Sequence, residues 1–109
     1  MLIDAITAGL ELQRRELERQ VAVEVKTALV DLESARDQVV AARERLRLAQ
    51  QEYSQAQDRF KAGVAGNGDV VTASLALNAA RNLEIDALAS YQAARVALAR
   101  AEGTATELP

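Results

Sequence analysis

From Val25 onward small and large apolar residues recur at alternating spacings of three and four: Val25, Ala28, Leu32, Ala35, Val39, Ala42, Leu46, Ala49, Tyr53, Ala56, Phe60, Gly63. A repeat averaging about 3.5 residues holds one stripe of a helix against a partner helix along its length. One column of this seam is bulky (Val, Leu, Tyr, Phe), and the other is alanine until it ends on Gly63. Off the seam lie Arg36, Asp37, Arg43, Glu44, Arg45, Arg47, Gln50, Gln51 and Asp58, the residues of a solvated face. Few folds other than a helical coil accommodate such a pattern.

The seam stops where glycine concentrates. Three of the chain's five glycines, Gly63, Gly66 and Gly68, fall between Ala62 and Asp69, the strongest break in the chain. A second seam then begins: Val70, Ala73, Leu77, Ala80, Glu84, Ala87, Tyr91, Ala94, Leu98, Ala101. Doubling the chain back at its glycines sets Phe60 opposite Val70, Tyr53 opposite Leu77, Val39 opposite Tyr91 and Leu32 opposite Leu98. It also sets Ala49 opposite Ala80, Ala42 opposite Ala87, Ala35 opposite Ala94 and Ala28 opposite Ala101. Large layers meet large and alanine layers meet alanine, so the backbones approach closely. The expected fold is all-α, a long antiparallel helical hairpin.

Composition supports this and narrows the chemistry. The 109 residues are half apolar, but only 3% are aromatic, and the single proline is Pro109. Abundant Ala, Leu, Glu, Gln and Arg favour helix. With 13 basic and 16 acidic residues interspersed, there is no basic stripe for nucleic acid. Cysteine and histidine are both absent. The usual nucleophile–base pairs and zinc sites therefore have no raw material, and neither an enzyme nor a bound cofactor is expected. Charges interrupt every apolar run short of a membrane span. Met1-Leu2-Ile3 runs directly into Asp4, which does not read as a signal peptide; a mature fragment or an intracellular chain would look like this.

Local signals place the helix ends. The first helix reads from about Asp4 to Ala62, and the second from about Asp69 or Val70 to Glu102. Gly63 suits a left-handed C-cap, with Arg59 and Lys61 in the last turn. Asp69 or Asn67 suits the next N-cap, and Gly103 reads as the stop of the second helix. Residues before about Thr27 find no partner in this register, although Leu10, Leu12, Leu17 and Val21 form an apolar stripe there. The chain thus divides into an N-terminal overhang over 1–24, a hairpin over 25–103 with its tip at 63–68, and a frayed tail over 104–109. A further apolar set (Leu29, Val30, Val40, Leu48, Val71, Leu75, Leu83, Ile85, Leu88, Val96) widens each helix beyond what two strands need. Additional helices should pack there, through oligomerisation or within a larger bundle.

The tip carries a more specific signature. Arg59-Phe60-x-x-Gly63, five residues, then Asp69-Val70-Val71-x-Ala73 resembles the R-[FY]-x-x-G-x5-[DE]-V-[LV]-x-A pattern of TolC-type outer membrane factors. The similarity extends through Leu77, Ala80, Tyr91, Ala94 and Leu98 to the Ala99–Gly103 ending. Upstream it takes in Val21, Val25, Ala28, Leu32, Ala35, Ala42, Leu46, Ala49 and Tyr53, covering roughly residues 10 to 103. It matches the periplasmic hairpin of the C-terminal repeat. The barrel strands, signal sequence and other repeat of that family have no counterpart here, and Ala65-Gly66-Asn67-Gly68 is richer in glycine than many relatives.

The resemblance implies a helical hairpin fragment of an outer membrane channel for multidrug efflux or type I secretion, trimeric as the full-length protein. It would lie in the outer membrane and periplasm, the fragment itself being soluble. The hairpin tip would dock a periplasmic adaptor (membrane fusion) protein through Phe60, Gly63, Val64, Asn67, Asp69 and Val70. In this reading Gly63 admits a neighbouring helix tip, Val64 offers an apolar contact, Phe60 packs beneath the turn, and Asp69 brings negative charge to the channel mouth. Leu32, Val39, Leu46, Tyr53, Leu77, Tyr91 and Leu98 form the large layers of the seam.

Simpler readings stand beside these. Gly63 and Asp69 serve equally as helix caps, and Phe60, Tyr53 and Tyr91 as core residues. Glu84, a carboxylate in the bulky column, calls for Arg45 or Arg47 as partner or for a wet layer. Arg14-Arg15-Glu16-Leu17-Glu18-Arg19 reads as a charged helix face. The competing function is a stand-alone coiled-coil scaffold or dimerisation module, which needs no tip chemistry.

Overall fold

The computed structural model describes residues 1–107, Glu107 by its backbone alone. Helix α1 spans Leu2–Lys61 and helix α2 spans Asn67–Glu107, joined by a turn over residues 62–66. Among the described residues there is no strand, and the fold is an all-α helical hairpin. The chain forms two compact units: Ser34–Gln92, and Met1–Glu33 with the chain from Ala93 onward.

In the Ser34–Gln92 unit the two seams meet in the expected register. Val39, Ala42 and Ala87 form one buried cluster, with Leu88 and Tyr91 packed against it. Ala49, Leu77 and Ala80 form a second, covered by Leu46 and Tyr53. The small column lets the backbones close, and Ala80 is left only 2% exposed. The bulky column then fills the layers between, each buried Val or Leu contributing about 1.5–3 kcal/mol through the water it sheds. Tyr53 keeps its polar end satisfied, its hydroxyl accepting from Gln57 Nε2 at 3.0 Å. Leu88 sits outside the heptad spacing but is half-buried against the Val39 cluster. It therefore belongs to the hairpin's own core rather than to its outer face. The remaining off-seam apolar residues of the unit, Val40, Leu48, Val71, Leu75, Leu83 and Ile85, are exposed.

Glu84 is half-buried in its seam position. Of the two arginines expected as its partner, Arg47 is engaged elsewhere. Arg47 Nη2 donates to Glu44 Oε1 at 2.7 Å one turn back on its own helix. That hydrogen bond holds the Glu44 carboxyl below the usual carboxylate range and raises the Arg47 guanidinium. A pair three residues apart on one helix is reached without crossing the seam. Arg45 lines a surface groove with Gln38, Ala41, Ala42, Leu83 and Asp86, and no ion pair from it to Glu84 occurs among the described residues.

In the other unit Val21 and Ala28 are buried, and Val25, Leu32, Ala94, Leu98 and Ala101 are half-buried. Ala28 and Ala101 wall the same groove, as the register requires. Ala105 lines a groove with Val21, Ala22 and Val25, so residues beyond Gly103 also cover α1. Helix α2 does not stop at Gly103. Thr104 Oγ1 donates to the Arg100 carbonyl at 3.0 Å and Thr106 Oγ1 to that of Gly103 at 2.8 Å. Gly63 is the glycine with positive φ, whereas Gly103 keeps an ordinary helical backbone. One interior glycine costs about 1 kcal/mol, too little to end a helix that is packed on a neighbour. Positions 108 and 109 of the expected frayed tail lie outside the described residues. Residues 1–20 are exposed apart from half-buried Glu11. There Arg14 bridges Glu11 at 3.0 Å and Glu18 at 3.8 Å, along one helix face.

Candidate functional site

The turn between the helices is built by backbone hydrogen bonds around one residue. Gly63 adopts φ 75°, a left-handed conformation that costs a residue with a Cβ roughly 1–2 kcal/mol. This lets the Val64 amide donate to the Arg59 carbonyl at 2.9 Å and the Gly63 amide to that of Phe60 at 3.1 Å. The paired bonds are those of a Schellman closure, which satisfies carbonyls that the end of α1 would otherwise leave open. The Ala65 amide also reaches the Arg59 carbonyl at 3.3 Å, and Ala65 is half-buried inside the turn.

Helix α2 begins two residues before Asp69, the earlier of its expected starts. Its first helical residue is Asn67, preceded by Gly66. The Asp69 amide donates to the Gly66 carbonyl at 3.3 Å. Gly66 is thus the N-cap, with no side chain to contribute. Asp69 instead occupies the first turn, where its carboxylate opposes the positive end of the helix dipole. Thr72 Oγ1 fastens this turn by donating to the Gly68 carbonyl at 3.0 Å.

The expected tip residues separate by exposure. Val64 is 78% exposed and Phe60 49%; Gly63, Asn67 and Asp69 are also exposed, and Val70 is half-buried. Phe60 therefore does not pack fully beneath the turn. It lies at the last seam layer, where the opposite column has only Val70 and the helices end. Directly below, Glu52, Ala56, Arg59, Asp69, Thr72 and Ala73 line an open groove. The alanine layer Ala56–Ala73 forms its floor and charged side chains its rim. The result is a rigid backbone turn carrying exposed apolar groups, beside a shallow groove edged with both signs of charge.

The seam residues behave differently. Val39 and Leu77 are buried, while Leu32, Leu46, Tyr53, Tyr91 and Leu98 are half-buried. Two participants escaped the sequence reading: Gly66 as N-cap and Ala65 as the turn's filler. A glycine directly before Asn67 was the available signal for the first. For the second there was none, because its burial follows from the path of the turn.

Among the described residues no group of three or more acidic, cysteine or histidine side chains is placed to hold a metal. No helix of theirs is long and apolar enough to cross a membrane. Compared with known proteins, the chain matches the family model described as outer membrane efflux protein over residues 7–104. No curated protein and no solved structure matches it significantly.

Proposed function

This chain belongs to the outer membrane efflux protein family, and on that premise we propose that it supplies the periplasmic helical hairpin of an efflux or secretion channel, its tip docking a periplasmic adaptor protein. The observation that carries the reading is the tip itself. A turn locked by Gly63 holds Val64 78% exposed, within the Arg59-Phe60…Asp69-Val70 signature. The Val64 side chain, held out by that turn, adds little to the hairpin's own burial and is free for a partner. An interhelical contact uses it directly: the missing Cβ of Gly63 admits a second helix tip, Val64 and Phe60 supply area that leaves water, and Asp69 adds charge selectivity. In the full-length protein the hairpins assemble as a homo-oligomer, a trimer, and the exposed off-seam apolar residues provide lateral contacts.

The test is Val64→Asp in the full-length protein. The expected result is loss of adaptor binding and of transport, with normal folding and normal amounts in the outer membrane. Unchanged adaptor binding would overturn the docking reading and favour a coiled-coil scaffold, in which an exposed tip residue is free to vary.

A further inference from the structure

We propose that Asn67 is a site of spontaneous deamidation, through which the tip gains a carboxylate as the protein ages. The chain has three asparagines, Asn67, Asn78 and Asn82, all exposed. Exposure therefore does not distinguish them, but backbone context does. Asn67 is the first residue of α2 and is followed by Gly68, whereas Asn78 precedes Ala79 and Asn82 precedes Leu83 inside the same helix.

The reaction needs the following residue's amide nitrogen to reach the asparagine side-chain carbonyl. In a helix interior that nitrogen is tied into the i→i−4 ladder and the backbone cannot turn. Gly68 lies in the first turn, where amides have no intrahelical acceptor. Glycines on both sides, Gly66 and Gly68, ease the required rotation. A Cβ built on Gly68 would meet nothing within 4 Å, so the space beside this residue is open.

The atoms balance without an oxidant. The Gly68 nitrogen bonds to Asn67 Cγ, the Cγ–Nδ2 bond breaks, and ammonia leaves a succinimide. Water then opens either ring bond. Cleavage at Cγ gives aspartate, and cleavage at the main-chain carbonyl gives isoaspartate with an extra backbone methylene. Either product takes the formal charge of the chain from −3 to one unit more negative. It also sets a second carboxylate two positions from Asp69.

The purified chain, held at body temperature and mildly alkaline pH, is sampled over days by peptide mass mapping with isoaspartyl detection. Asn67 is expected to convert at least about tenfold faster than Asn78 or Asn82, the ratio that ~1.4 kcal/mol of barrier produces. Gly68→Ala is the companion variant, since Gly68 does not use positive φ and has room for a methyl group. It should bring Asn67 close to the rate of the other two while circular dichroism stays unchanged. Conversion of Asn67 no faster than Asn78 and Asn82 would overturn the proposal. So would an unchanged Asn67 rate in a folded Gly68→Ala chain.

Discussion

The amide of Val64 donates to the carbonyl of Arg59 at 2.9 Å, joining the first residue past Gly63 to the last turn of α1. That bond exists because Gly63, between them, holds φ 75°. The closure of the hairpin is thereby concentrated on one residue, whereas the side chain of Val64 takes no part in it.

Gly63→Ala should accordingly destabilise the hairpin by about 1–2 kcal/mol, the cost of a Cβ in the left-handed region. Free space around the site gives no relief, because the strain lies in the backbone. Val64→Ala should leave stability within about 0.5 kcal/mol, as expected of an exposed side chain. Urea denaturation of both variants separates the two effects.

Ala80 is the most enclosed of the core residues, at 2% exposure. Ala80→Leu would force the helices apart at a layer built for close approach, and should cost about 1–3 kcal/mol. The neighbouring exposed Ala79→Leu should be tolerated. Thermal melts followed by circular dichroism would check both.

Glu84 occupies a bulky seam position, half-buried, with Arg47 already committed to Glu44. Glu84→Leu should raise stability by about 1 kcal/mol, since apolar area replaces a carboxylate that must otherwise be kept wet. The denaturation midpoint reports the result. A lower midpoint would mean that water at this layer holds the helices together.

The Glu44–Arg47 bond has a definite pH signature. Its carboxyl is held below the ordinary value in the folded chain. Its contribution is therefore complete above the unfolded carboxylate pKa and disappears as pH falls through the lower, folded value. Both side chains are more than half exposed, at 59% and 57%, so screening keeps the effect small. Stability measured from neutral to acid pH should fall slightly less in Glu44→Gln than in the parent chain.

The hairpin register was legible because period and partner are written in the same residues. Val39 meeting Tyr91, and Ala49 meeting Ala80, follow from two heptad seams folded at one glycine-rich break. The departures occur where one residue type serves two purposes. Gly63 and Gly103 look alike as helix stops, but only Gly63 turns left-handed. The difference lies in what each helix has left to pack against. Asp69 is as good a cap as a first-turn anion, and the chain places Gly66 at the cap instead. Of the tip residues, Gly63 and Val64 could be anticipated from the turn. The half-exposure of Phe60 could not, because a seam position reveals nothing about whether its layer is closed above.

Sequence alone determined the two helices, their break and their pairing, because a heptad of alternating large and alanine positions, closed by one short glycine-rich turn, leaves a single register. Tertiary structure decided where that pairing stops mattering: Leu88 drawn into the core, α2 carried through Gly103, and Phe60 left half in water. These outcomes depend on the surface opposite each residue, and that surface exists only once the second helix has been laid against the first.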